Sequence, residues 1–538
     1  MIRVIGFGVR NLRSLRDTDL VEIKPLTILV GKNSAGKSTF ARILPLLKQS
    51  AERRKQAPLL WFGRLVDFGS FSDALSSFAE EKEIEIKFRF SISDPTFVDA
   101  RYSLVDDIPQ GEVTVDVGMA IGTTVEDDRT VLRSISLKAF GIESRISFEN
   151  NRLVIRAGGT VASSPGEATL LLLGGSILQT PHLIFREPVT PSPVSDSEYF
   201  RSRRERLGTV EIRAAISHFV HGNTLAERKD EIADRLPLAN PGTLLQYCKR
   251  LPGAPDTWRS SVGNVSDPEQ YHFKRLREAL LLYKLGPLLA RLDEALDALC
   301  GGVSYLEPLR ATAQRYYRRE EVSIDELDPK GLNTTFFLQG LPLRERESLN
   351  QWLSRELGFT LNVRTAGGHS SLHIETANPP ISRNMADVGF GYSQIVPVAI
   401  QLWAARRRPG RFGRVPNPRA AARSAGTEQR AVVVVEQPEL HLHPAYQAKL
   451  ADVFSACVRP GEPNTGATRR LDLIIETHSA SIINRLGELI GESRLSSSDV
   501  QVIVFDMEPS GGSATTLRTA NFDEKGVLRN WPVGFFEH

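Results

Sequence analysis

Apolar positions follow three rhythms along the chain. Short apolar groups come first: IRVIGFGV, LVEI and LTILV predict strands, and FARILPLLKQSAERRK after the loop GKNSAGKST predicts a helix. From about residue 83 to 160 the period drops to two, in EIEIKFRFSI, EVTVDVGMAI and RISFENNRLVIRA, which predicts antiparallel strands. The stretch PVTPSPVSDSE (188–198) reads as a linker, since Pro and Ser interrupt both rhythms. Residues 199–300 then space their apolar side chains by three and four, as in DPEQYHFKRLREALLLYKLGPLLARLDEALDALC, which predicts helices. From about 359 short strands return (FTLNVRT, SLHIET), followed by a helix beginning near Ser393. The unbroken apolar runs AVVVVE, LDLIIE and VQVIVF read as parallel strands buried on both faces. No internal repeat is visible.

One loop carries chemistry. Between the strand LTILV and the helix FARILPLL, residues Gly31 to Ser38 match G-x-x-x-x-G-K-[ST] in the strand–loop–helix setting a phosphate-binding loop needs. Glycines let backbone N–H groups turn toward a β-phosphate, and the following helix start adds partial positive charge. Lys37 has the reach for the β- and γ-phosphates, and the Ser38 hydroxyl suits Mg2+. The competing reading is a glycine-rich turn with no ligand. A P-loop also needs an acid at the end of a neighbouring strand, and VVVVEQPELHLHP offers Glu436 there. Glu436 lies 399 residues beyond Lys37, far more than one βαβ unit of about 30 residues. The nucleotide site is therefore split between the two ends of the chain.

This division predicts an α/β fold: an ABC-type split P-loop ATPase head with an antiparallel β subdomain and an inserted helical domain. The expected boundaries are 1–80 for the first half of the head, 81–187 for the β subdomain, 188–357 for the helical insertion and 358–538 for the second half.

Composition narrows the class only a little. With 538 residues, 41% hydrophobic and 24% charged, the chain has the makeup of a globular protein. Three scattered cysteines, Cys248, Cys300 and Cys457, fit a reducing cytoplasm better than a disulfide framework or a zinc cluster. The opening MIRVIGFGVRNLRS lacks the long apolar core of a signal peptide, and no run reaches the length of a membrane span. The net charge of +3 says little by itself.

Taken together and in order, GKNSAGKST, DVGFGYSQIVPV, VVVVEQPELHLHP and IIETHSASIINR resemble the ABC-like ATPases of the OLD, RecF and SMC neighbourhood. More narrowly, WFGRLVDFGSF, VSYLEPLRATAQRYY and the terminal NWPVGFFEH resemble a bacterial branch of AAA-family ATPases. Members of that branch occur in phage-defence operons, including the ATPase subunit of Septu and Septu-type retrons. The resemblance covers both ends and hardly touches residues 180–300. It implies ATP and Mg2+ as cofactors, with Gly31, Asn33, Gly36, Lys37, Ser38 and Thr39 holding the nucleotide and Ser38 and Glu436 holding the metal. It further implies that Gly389, Gly391, Ser393 and Gln394 form a signature capping the γ-phosphate of a second copy, and that His478 senses that phosphate. The implied assembly is a homodimer, or a higher oligomer, closing head to head around two ATP.

One position departs from the family pattern. Where many relatives carry a second acid after the metal-binding one, this chain has Gln437. An amide orients water but cannot take its proton, a loss worth about 10²–10⁴ in rate. Glu439 and Glu476 are candidate substitutes, and a slow ATPase is expected. His441 and His443, spaced HLH, are more commonly structural than a zinc pair when no further ligands converge. The stretch RRRPGRFGRVPNPRAAARSAGTEQR (406–430), with eight arginines and one acid, and RSRRER (201–206) have the charge density to meet DNA or RNA phosphates. Arg406, Arg407, Arg408, Arg411 and Arg414 are the candidates, with a solvated insertion as the plain alternative. Arg310, Arg315, Tyr316 and Tyr317 interleave in EPLRATAQRYYRR, where packing and ligand roles stay open.

Sixty residues follow His478, and one strand with Asp506 and Glu508 does not make the several-acid nuclease site of OLD proteins. The expectation is an ATPase that regulates a separately encoded nuclease or effector in antiphage defence. The alternatives are a RecF/SMC-like repair or chromosome-maintenance ATPase on duplex DNA, and a scaffold whose ATP is structural. Helices between about 199 and 300 are candidates for partner docking.

Overall fold

The computed structural model describes residues 2–52, 57–93, 111–124, 129–149, 152–163, 168–171, 177–178, 182–187, 201–203, 208–318, 324, 326–377, 379–407, 430–459, 470–507 and 514–531. The linker 188–198, Arg408, Arg411 and Arg414, Glu508 and the end of NWPVGFFEH lie outside them.

Among the described residues, one 16-stranded sheet runs through the molecule. Its parallel part centres on the P-loop strand Leu26–Gly31, which has Arg470–Glu476 on one side and Val500–Met507 on the other. Beyond Arg470–Glu476 come Arg430–Glu436 and then Val303–Leu306, all parallel. On the other side of Val500–Met507, Thr515–Phe522 turns antiparallel and leads to the hairpin of Leu15–Asp17 and Ile2–Leu12. From Ile2–Leu12 the sheet continues antiparallel through Ile84–Ile92 and Val113–Thr123 out to Thr160–Ser163.

The unbroken apolar runs have a simple cause. Successive side chains of a strand point to opposite faces, and both faces here are covered. Val432, Val434 and Ile474 belong to one core cluster with the helices Ile43–Ala51 and Tyr271–Gly302. Val433, Val435, Leu473 and Ile475 belong to the other, with Phe390–Arg407, Pro444–Val458 and Ala480–Gly491.

Two elements join regions that the sequence divides. The period-two strands of 84–163 continue the sheet of the P-loop strand through Ile2–Leu12. The stretch expected to be a helical insertion also delivers Val303–Leu306 to that sheet, directly after the 32-residue helix Tyr271–Gly302. Four residues are too few for a period to register.

Arg430 ties the two ends together. Counted with the basic stretch by sequence, it is buried, paired with the fully buried Asp472, and donates to the carbonyl oxygens of Val4 at 2.8 Å and Ile23 at 3.0 Å. No described helix is long and apolar enough to cross a membrane.

Candidate nucleotide site

Helix Lys37–Ala41 starts where the loop after Leu26–Gly31 turns back on itself. Gly36 makes that turn at φ +83°, and a Cβ there would lie 2.6 Å from Ser14 Oγ, so only glycine fits. The Lys37 ammonium folds onto the loop and donates to the carbonyl oxygens of Gly31 at 2.9 Å and Lys32 at 2.7 Å. Burial lowers its pKa, against the pull of Glu476 and Glu439.

A cleft of about 330 Å³ opens over this loop. Asn33, Gly36, Lys37, Ser38 and Thr39 line it together with Gln437, Glu476 and His478. Residues some 400 positions apart thus share one cavity, as the split site requires. Arg13 and Ser14, which the sequence did not single out, also line it. Arg13 lies over the Phe68 ring at 4.6 Å, and burial followed by the charge of Arg42 lowers its pKa.

The three acids are placed very differently. Glu436, 1% exposed, has both carboxylate oxygens occupied: Arg42 grips it bidentately at 2.7 Å and 2.7 Å, and Tyr305 donates at 2.8 Å. It does not line the cleft. Glu476 sits in register beside it on the next strand and does line the cleft. Its Oε1 accepts the Ser38 hydroxyl at 3.0 Å, while its Oε2 is buried without a partner. Burial, then the charge of Glu436, pushes its carboxyl up to about 7. Glu439 accepts the His478 backbone N–H at 2.7 Å, its second oxygen is buried without a partner, and burial raises its pKa.

Gln437 stands at φ +43° and donates its backbone N–H to the Glu476 carbonyl at 2.8 Å. That left-handed kink directly after the strand turns its side chain to the cleft wall. His478 lies at the rim, and burial, then the Lys37 charge, lowers the pKa of its imidazole.

P-loop magnesium takes one or two protein oxygens and completes its shell with phosphates and water. Ser38 Oγ beside the orphaned Glu476 oxygen is such a set, so the residues fit the ion. Among the described residues, no group of three or more His, Cys, Asp or Glu is placed to hold a metal unaided. His443 Nδ1 caps the helix Pro444–Val458 through the Ala445 N–H at 3.3 Å, and His441 meets the Phe390 ring edge-on at 4.9 Å.

The family model "AAA ATPase domain" matches residues 4–156 and 358–483, just over half of the chain and the stretches that build this cleft. The chain belongs to the AAA ATPase domain family. Among solved structures, an SMC head domain with an extended coiled coil from Pyrococcus furiosus, bound to the C-terminal domain of ScpA, is 10% identical over 97% of both chains, with a TM-score of 0.33. The SMC head domain from Thermotoga maritima is 8% identical over 96% of this chain and 98% of its own, with a TM-score of 0.29. No curated protein matches. The strand order and the split site make the fold a mixed α/β P-loop ATPase head of ABC type.

The segment expected to form the signature, Gly389 to Gln394, contributes no residue to the cleft lining. Helix Phe390–Arg407 begins there, with Gly389 and Phe390 exposed. Ser393 and Gln394 are buried and turned inward. Gln394 accepts the Arg310 N–H at 3.3 Å and donates to the Arg310 carbonyl at 3.2 Å, and Ser393 Oγ accepts the Ala313 N–H at 3.3 Å. Arg310 in turn donates to the Glu436 carbonyl at 2.7 Å, while its Nε and Nη1 are buried without partners and burial pushes its guanidinium down to about 10. This linkage joins the signature helix to the strand end carrying Glu436, and it was invisible in the sequence because EPLRATAQRYY has no local pattern for it. Arg406 and Arg407 sit at the far end of the same helix, about 27 Å from its start by helical rise. Arg407 lies over the Trp403 ring at 5.4 Å.

Proposed function

We propose that this chain binds ATP with Mg2+ and hydrolyses it slowly, the nucleotide holding two copies together head to head. The observation that carries the reading is Gln437 lining the same cleft as Lys37 and Ser38. An amide there orients a water without removing its proton. In this reading Asn33, Gly36, Lys37 and Thr39 hold the phosphates, His478 senses the γ-phosphate, and the exposed backbone around Gly389 and Gly391 meets the ATP of the second copy. The ATP-held dimer regulates a separately encoded nuclease in antiphage defence, a role supported by the likeness of WFGRLVDFGSF, VSYLEPLRATAQRYY and NWPVGFFEH to the defence branch.

Single-turnover hydrolysis measured with the mass of the assembly tests it, for the wild type and Gln437→Glu. Slow turnover with an ATP-dependent dimer is expected, with Gln437→Glu faster by about tenfold or more. Fast wild-type turnover that Gln437→Glu leaves unchanged or lowers would refute the slow clamp.

A further inference from the structure

The geometry points to Glu476, and not Glu436, as the carboxylate that meets the magnesium ion, paired with Ser38; the inference rests on the ATP-binding reading above. Adjacent ligands of octahedral Mg2+, each about 2.1 Å from the ion, stand about 3.0 Å apart. Ser38 Oγ and Glu476 Oε1 are 3.0 Å apart. The hydrogen bond between them holds the spacing that the ion would bridge.

Four further observations agree. Glu476 lines the cleft, and its second oxygen is buried with no partner, a costly state that a cation relieves. Glu436 has no free oxygen, since Arg42 and Tyr305 hold both sides of its carboxylate. Arg42 follows Ser38 by one helical turn, its N–H bonded to the Ser38 carbonyl at 2.9 Å, so Glu436 is engaged a turn deeper than the metal-binding hydroxyl. Finally, two neighbouring strands end in carboxylates in register, and one guanidinium grips only the inner of them. Glu476 faces the cleft without a guanidinium on it, where a divalent cation would meet its unpartnered oxygen. Glu436 then acts through Arg42 as a positioning residue that fixes the helix carrying Ser38.

The test is Mn2+ binding to the complex with a non-hydrolysable ATP analogue, followed by the electron paramagnetic resonance of free Mn2+. Glu476→Gln keeps an acceptor for the Ser38 hydroxyl but gives up the charge. It is expected to weaken Mn2+ binding by about tenfold to a hundredfold, with no loss of analogue affinity in EDTA. Glu436→Gln is expected to weaken it less. Ser38→Ala combined with Glu476→Gln should lose less than the sum of the two single losses in free energy, since both act on one ion. Unchanged Mn2+ affinity in Glu476→Gln, a larger loss in Glu436→Gln, or full additivity with Ser38→Ala would overturn the assignment. A wild type that binds no analogue, with or without metal, would instead remove the ATP reading itself and this assignment with it.

Discussion

The P-loop end and the signature end of this head treat their polar groups in opposite ways. In the cleft, Glu476 keeps an unpartnered oxygen and Lys37 rests on loop carbonyls of Gly31 and Lys32. At the signature end the hydroxyl of Ser393 and the amide of Gln394 are already bonded to the 310–313 segment. The cleft leaves a carboxylate oxygen unpartnered beside a cavity, while the helix start bonds its hydroxyl and amide to a neighbouring segment and leaves only Arg310 Nε and Nη1 behind them unpartnered among these groups. What this end leaves exposed is the backbone at Gly389 and the Phe390 ring.

Lys37→Ala should sharpen this contrast most. Loss of the only loop lysine reaching into the cleft removes charge-assisted contacts worth about 3 kcal/mol or more, about a hundredfold in ATP affinity by calorimetry. Comparable affinity in the variant would mean that the cleft is not where ATP binds.

The second test uses pH. The Glu476 carboxyl is raised in the folded protein to about 7. Below its unfolded value both states are protonated and nothing is lost. As pH rises through that value toward 7, the unfolded chain releases its proton first, so folding stability falls. Integrated, the fall is on the order of 3 kcal/mol, and the raised pKa of Glu439 adds to it in the same direction. Urea titrations of metal-free protein between pH 5 and 8 should show the decline, and Glu476→Gln should flatten it. An equally steep decline in that variant would contradict the buried, uncompensated carboxylate.

Gln394→Ala addresses the opposite end and should cost about 2 kcal/mol of stability, since it strands the Arg310 N–H and carbonyl in a buried place. ATP affinity of the isolated head should not change. A variant of unaltered stability that loses dimerisation would reverse the comparison, making Gln394 a contact for the second copy.

Legibility followed locality. GKNSAGKST declares itself because its glycines, lysine and serine act within nine residues, and AVVVVE and LDLIIE declare buried strands because both faces are apolar. The neighbour of a carboxylate is a different matter. Glu436 and Glu476 both end apolar runs, and only strand register and the reach of Arg42 from a distant helix separate them. Arg430 looks like one more cation of a solvated stretch until Asp472 and the Val4 and Ile23 carbonyls surround it. Tyr305 and Arg310, too, gain their partners only when Val303–Leu306 joins the sheet.

The placement of Leu26–Gly31 between Arg470–Glu476 and Val500–Met507 also governs the birth of the protein. At about 5–20 residues per second of synthesis, the P-loop strand leaves the ribosome about 20 to 90 s before its two neighbours exist. During that interval both its edges are open. A nascent chain carrying the whole of GKNSAGKST therefore still lacks Gln437, Glu476 and His478 of the cleft and both neighbours of its P-loop strand.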